Sequence, residues 1–281
     1  MKYPQPYKTL IAFLALPMFT SIASAASIMF DFGPTTVSGG SLTNSPYHAL
    51  GGSSADNAWN QVQLADINSG LILSNGAAAA GVTLNLGVSS GTTIGLSTQP
   101  VNSSALGSVT NFSGGIYASP SAGRDAIFAS STTVRYVGLQ IGGLASGTYD
   151  IFIASRNTNT AAAHSQFGFV GKSAAAGDFD VTSYLTGLSL IPQTPVDGDI
   201  PGNGAQASWQ ENVNYTRFSI TLAEGEFLNI AANGGNGITG AGGPEARGFL
   251  NAVQIMQVPE PSSALILASA LAFGLARRRR P

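Results

Sequence analysis

The sequence predicts an all-β protein whose body, residues 26–257, is an antiparallel jelly-roll β-sandwich. Three observations carry this expectation. Apolar residues alternate with polar ones at period two along several short segments, the mark of strands with one buried face. Glycine-rich polar breaks separate those segments. No amphipathic helix of useful length lies between them, which excludes repeated βαβ units and favours antiparallel sheets. One-sided alternation asks for a second sheet to cover each apolar face. No fixed-period repeat points to a solenoid or propeller instead.

The elements follow in order. "SIMFDFG" sets Ile28, Phe30 and Phe32 on one side. It turns Asp31 away from them, where the carboxylate is placed to pair or to bind a cation. "GVTLNLGVS" sets Val82, Leu84, Leu86 and Val88 against Thr83 and Asn85. "RYVGLQI" aligns Val137, Leu139 and Ile141, and "TYDIFIAS" aligns Tyr149, Ile151 and Ile153 after a tight entry at Gly147. "TRFSITL" aligns Phe218, Ile220 and Leu222 opposite Arg217, Ser219 and Thr221. The breaks are "GGLASG" at 142–147, "AEGE" at 223–226 and "NGGNGITGAGG" at 233–243. In "RGFLNAVQIM" Asn251 interrupts an apolar strand, and a buried amide there is expected to hold a neighbouring loop.

Composition bounds the function. The body is long enough for one domain with a substantial core, and no charged or proline-rich linker divides it. The formal net charge is −2, but Lys2, Lys8 and four arginines near the C-terminus are six of the 12 basic residues. The body holds the other six against 13 of the 14 acidic residues, a balance near −7. Such a surface is unsuited to nucleic acid. Cysteine is absent, which removes thiol catalysis, thiolate metal sites and disulfides. A hydrophobic fraction of 44% and a positive mean hydropathy speak against disorder.

Both ends read as targeting segments. Lys2 and Lys8 precede an apolar core at 10–19, and "IASAAS" follows with Ala23 and Ala25 in an A-x-A pattern. Residues 1–25 are therefore a signal peptide, cut after Ala25 or, alternatively, after Ala26. At the other end "VPEPSSALILASALAFGLARRRRP" combines a Pro-Glu-Pro knot, an uncharged run at 264–276 and four arginines. A helix of that run spans roughly 20 Å at 1.5 Å per residue. A hydrocarbon core is about 30 Å thick, so the run is a short transmembrane helix, extended by Ser262, Ser263 and snorkelling arginines. The arginines keep the C-terminal end cytoplasmic and place the body across the membrane.

The tail resembles a PEP-CTERM sorting signal. The residues that carry the resemblance are Val258, Pro259, Glu260, Pro261 and Ser262, then the apolar run, then Arg277, Arg278, Arg279 and Arg280. It covers the last 24 residues, 258–281. The resemblance implies an exosortase-type transpeptidase as partner and a precursor tethered transiently to the inner membrane of a Gram-negative bacterium. It further implies removal of the tail, then a place at the cell surface or in the extracellular matrix, beside extracellular polysaccharide. The body resembles galactose-binding-like and malectin-like sandwiches, including carbohydrate-binding modules. "IMFDFG", "AWNQV" at 58–62, "GLASGTYDIFIASR" at 143–156, "RFSITLAEGEFLNIAA" and "RGFLNAVQIM" carry that resemblance. It implies a sandwich fold without identifying a ligand.

The inventory for catalysis is thin. His48 and His164 stand in polar, loop-like stretches without zinc-site spacing, and no G-x-S-x-G elbow is present. The close acidic pairs are Asp178 with Asp180 and Asp197 with Asp199. "DGDIPGNG" makes Asp197 and Asp199 weak candidates for structural calcium, without the closing glutamate of a full calcium loop. No other cofactor is expected. Sugar binding needs a flat aromatic with amides or carboxylates beside it. Trp209 and Trp59 are the candidates, with Tyr215 and Asn60 as neighbours.

The expected function is that of an exported, non-catalytic surface or matrix protein that binds or embeds in exopolysaccharide, as in a biofilm. A secreted carbohydrate-active hydrolase is the alternative. An ice-binding or adhesive structural protein is a further one, although Thr92, Thr93, Thr132 and Thr133 fall in no regular array.

Overall fold

The computed structural model describes residues 27–34, 44–96, 101–104, 116, 121–129, 135–157, 164–191, 208–234 and 247–259. Several expected features lie outside these residues. They are the signal peptide with Ala23, Ala25 and Ala26, the loop with Asp197 and Asp199, and the sorting signal beyond Pro259. The last includes Glu260, Pro261, Ser262, the apolar run, Arg277, Arg278, Arg279 and Arg280. Among the described residues no helix is long and apolar enough to cross a membrane.

Two five-stranded sheets form the body. The first has the order β12 (Tyr215–Leu222), β8 (Gly147–Ala154), β15 (Ala252–Gln257), β1 (Ser27–Phe32) and β2 (Asn60–Val62). The second has the order β11 (Leu185–Ile191), β9 (His164–Ser173), β13 (Phe227–Gly234), β7 (Tyr136–Gly142) and β3 (Thr83–Ser89). From β7 onward the chain passes repeatedly between sheets: β7 to β8, β8 to β9, β11 to β12, β12 to β13, β13 to β15. Pairing is antiparallel throughout both sheets except between β1 and β2, which run parallel. The antiparallel expectation fails there because β1 and β2 are joined by a long crossing segment, and a parallel pair needs such a connection.

The period-two pattern becomes the core. Phe30, Phe32, Leu84, Leu86, Leu139, Ile141, Ile151 and Ile153 of the two sheets meet in one cluster, each at most 1% exposed. Phe218 and Leu222 join them, and Ile220 packs at the edge. Burying an aliphatic or aromatic side chain of this size contributes about 1.5–3 kcal/mol.

The outer face of the second sheet is covered in turn. β10 (Phe179–Asp180) pairs with β4 (Thr93–Ile94) across it. Ile94, Phe179 and Val181 pack there on Ala231. Gly138 gives the room, since a Cβ on it would lie 3.0 Å from Ile94 Cγ2 and 3.2 Å from Phe179 Cζ. A three-stranded ribbon, β14 (Phe249–Leu250), β6 (Ala126–Ala129) and β5 (Val101–Ser104), closes one end. The one α-helix among the described residues is the single turn α1 (Pro46–Ala49), started by proline at its first position.

Candidate functional site on the outer face of the first sheet

Register sets out this face row by row. Asp31, Ala252, Ala154 and Tyr215 form one row, and Met29, Gln254, Phe152 and Arg217 the next. Ser27, Met256, Asp150 and Ser219 form a third. A face pointing away from the core is normally wet, yet Met29, Phe152, Tyr215 and Gln254 are all buried. The cover is a second apolar cluster, in which Ile116, Ala122 and Trp209 pack on Phe152, Ala154, Tyr215 and Ala252. Gln254 fastens the loop that carries α1: its Oε1 accepts from Tyr47 N at 2.9 Å, and its Nε2 donates to Ser45 Oγ at 2.9 Å.

The expected sugar platform is part of this cover. Trp209 is 8% exposed, donates its indole N–H to Asn44 Oδ1 at 2.9 Å and meets Tyr215 edge-on at 6.4 Å. Tyr215 is 2% exposed. Trp59 is half-buried against the same cluster. Asn60 is buried: its amide donates to Met29 O and Ile72 O and accepts from Ile72 N. Trp209 and Tyr215 therefore present no free face to a ligand, because the outer face of the sheet supplies a second core for them to fill.

An open recess of about 250 Å³ adjoins the cover, lined by Tyr47, Leu50, Gly51, Gly52, Phe152, Arg217 and Met256. Arg217 stands over the Phe152 ring at 5.5 Å and donates to Asp150 Oδ2 at 2.6 Å. Its side chain is 40% exposed. Leu50, 52% exposed, forms an apolar rim. The arrangement offers a fixed charged pair beside an apolar wall. None of these residues was legible as a site, since Tyr47 and Arg217 lie 170 positions apart and meet only through the fold.

Further along the face the polar groups are enclosed. Asp31 is 2% exposed and Asp125 is 1% exposed. Asp31 Oδ1 and both carboxylate oxygens of Asp125 have no hydrogen-bond partner. Burial, and then the charge of Asp125, push the Asp31 carboxyl up to about 8. Burial pushes Asp125 up to about 7, against the opposing effects of its own backbone N–H and of Arg124. Asn251 fixes the surrounding backbone, as its place in the strand implied. Its Nδ2 donates to Gly123 O at 3.1 Å and to Asp125 O at 2.9 Å, and its Oδ1 accepts from Arg156 N at 2.6 Å.

Other candidate groups have structural partners. Asp178 Oδ1 accepts from Leu96 N at 2.9 Å. Asp180 accepts from Thr92 Oγ1, Thr93 Oγ1 and Thr182 N at 2.8–3.1 Å. His48 lies with Nδ1 2.5 Å from Ser45 Oγ and Nε2 2.7 Å from Asp56 O. Ser45 is fully buried, so that contact presents no nucleophile to a substrate. His164 opens β9 instead of lying in a loop.

Residues 257–280 match the PEP-CTERM protein-sorting motif. The protein is thus an all-β sandwich marked for exosortase processing and display outside the cell. The matched segment begins at Gln257, the last residue of β15, and Val258 N still donates to Thr148 O at 2.8 Å. The sorting signal starts where the sheet ends. No curated protein matches the chain.

Proposed function

We propose that this protein is a non-catalytic surface or matrix component whose sandwich associates with exopolysaccharide, and that the Tyr47–Arg217 recess takes one residue of the polymer. The observation that carries the reading is the fixed Arg217–Asp150 pair beside Tyr47, Phe152, Met256 and Leu50 in an open recess. Hydroxyls of a sugar suit the charged pair, and its C–H face suits the apolar wall. Pockets for drug-sized ligands run to about 300–1,000 Å³, so a recess of about 250 Å³ suits a single sugar residue of a chain that continues outside it. We read the body as a jelly roll, supported by the orders β1-β15-β8-β12 and β7-β13-β9-β11 in facing sheets. The non-catalytic reading is supported by the structural partners of Asp178, Asp180, Ser45 and His48.

The test is binding of residues 26–257 to a panel of polysaccharides, including the producer's own, for wild type and Arg217→Ala. Saturable binding, weakened about tenfold or more by a substitution that leaves the protein folded at the temperature of the assay, is the expected result. A loss of one charge-assisted contact of about 1.5 kcal/mol corresponds to that factor. Absence of binding to every polymer, or binding indifferent to Arg217→Ala, refutes the assignment of the recess.

A further inference from the structure

We propose that Asp31 and Asp125 hold a divalent cation of the calcium class, buried under the loops that cover the first sheet. The two carboxylates come from separate elements. Asp31 lies in β1, and Asp125 immediately precedes β6. They meet through Gly33, two residues after Asp31. A Cβ on Gly33 would lie 2.5 Å from the Asp125 carboxyl carbon, and its φ of +133° admits glycine alone without strain. The Asp125 carboxylate is therefore pressed against the strand that carries Asp31.

Three carboxylate oxygens in this place have no partner, whereas buried polar atoms are nearly always satisfied. At 1–2% exposure the pair is closed to a sugar or any other organic ligand, which leaves a proton, water or an ion. A proton shared between the two carboxyls joins one oxygen of each and leaves the remaining lone pairs unmet. One divalent cation satisfies oxygens of both groups together. Among the described residues no group of three His, Cys, Asp or Glu side chains gathers as a metal site. Two carboxylates completed by backbone, amide or water oxygens suit calcium, which accepts six to eight such ligands with flexible geometry. The proposal uses neither Asp197 nor Asp199 and is independent of the sugar reading.

The experiment uses the purified full chain in mild detergent. Melting is measured in chelator, in calcium and in magnesium, and bound calcium per chain is counted by native mass spectrometry. Calcium at about 100 times its Kd is expected to raise Tm by about 5–10 °C, with one ion per chain. Asp125→Asn and Asp31→Asn are each expected to abolish the shift, while Asp178→Asn on the opposite face retains it. Should one variant fail to fold, the other and the ion count on wild type still decide the matter. A Tm equal in calcium and chelator with no bound ion overturns the proposal. So does a calcium shift that survives both substitutions.

Discussion

The two outer faces of the sandwich bury polar groups in opposite ways. On the second sheet Gln140 and Asn229 are both fully buried. Gln140 Nε2 donates to Asn229 Oδ1 at 2.8 Å and to Gly177 O at 3.1 Å, and Gly177 N returns a bond to Gln140 Oε1 at 3.0 Å. Asn229 Nδ2 donates to Tyr184 OH at 2.8 Å and to Ser173 Oγ at 3.1 Å. Both ends of each amide are used. On the first sheet Asp31 and Asp125 are equally deep and keep oxygens with no partner. A closed network fastens the β4–β10 cover, whereas an open one marks a place where the protein alone does not complete its own chemistry.

The largest expected effect tests whether the cover of the first sheet is a core. Trp209→Ala should cost about 3–5 kcal/mol of unfolding free energy, read from urea denaturation. Unchanged stability with lost polysaccharide binding would return Trp209 to the role of a ligand platform and reverse the comparison. The next effect separates the two polar networks. Asn229→Ala should cost about 1–3 kcal/mol by stranding Gln140 and Tyr184. Asp31→Asn, measured in chelator, should cost less than about 1 kcal/mol because it breaks no hydrogen bond. Equal losses in the two variants would erase the distinction between the faces.

The smallest effect is a pH dependence on the second face. Bonds from the Thr182 hydroxyl and backbone N–H, then from Thr92 and Thr93, hold the Asp180 carboxyl at about 2, below its ordinary 3.8. Between those values the unfolded chain binds the extra proton. The contribution of Asp180 is therefore complete above the unfolded value and is lost as pH falls toward 2. Asp180→Asn should flatten the acid limb of a melting-versus-pH curve in that window. An acid limb identical to that of wild type would show that the threonine contacts contribute nothing to holding the β10–β4 cover.

Much of the fold was legible because strand periodicity is local. Phe30, Leu86, Leu139 and Ile151 declare their face through their nearest neighbours, and all four are fully buried in one cluster. Asp31 was legible to the same extent, as a carboxylate turned away from two phenylalanines. Its partner was not. Asp125 sits 94 positions along the chain and reaches β1 only through the ribbon that closes the end of the sandwich. Trp209 likewise has a partner that its neighbours in the chain do not declare: its indole N–H donates to Asn44 Oδ1, 165 positions away.

The address and the alternation are both written locally in the chain. The sorting motif is contiguous and legible without the fold, and period two needs only the geometry of one strand. Tertiary structure alone decided which outward faces stay wet. Trp59, Ile116, Ala122 and the Trp209 turn had to converge on one sheet before Phe152 and Tyr215 became core. Tertiary structure likewise took Asp31 and Asp125 out of water together and left the Arg217 recess open on the same sheet. Burial depends on what arrives from elsewhere in the chain, which no local pattern specifies.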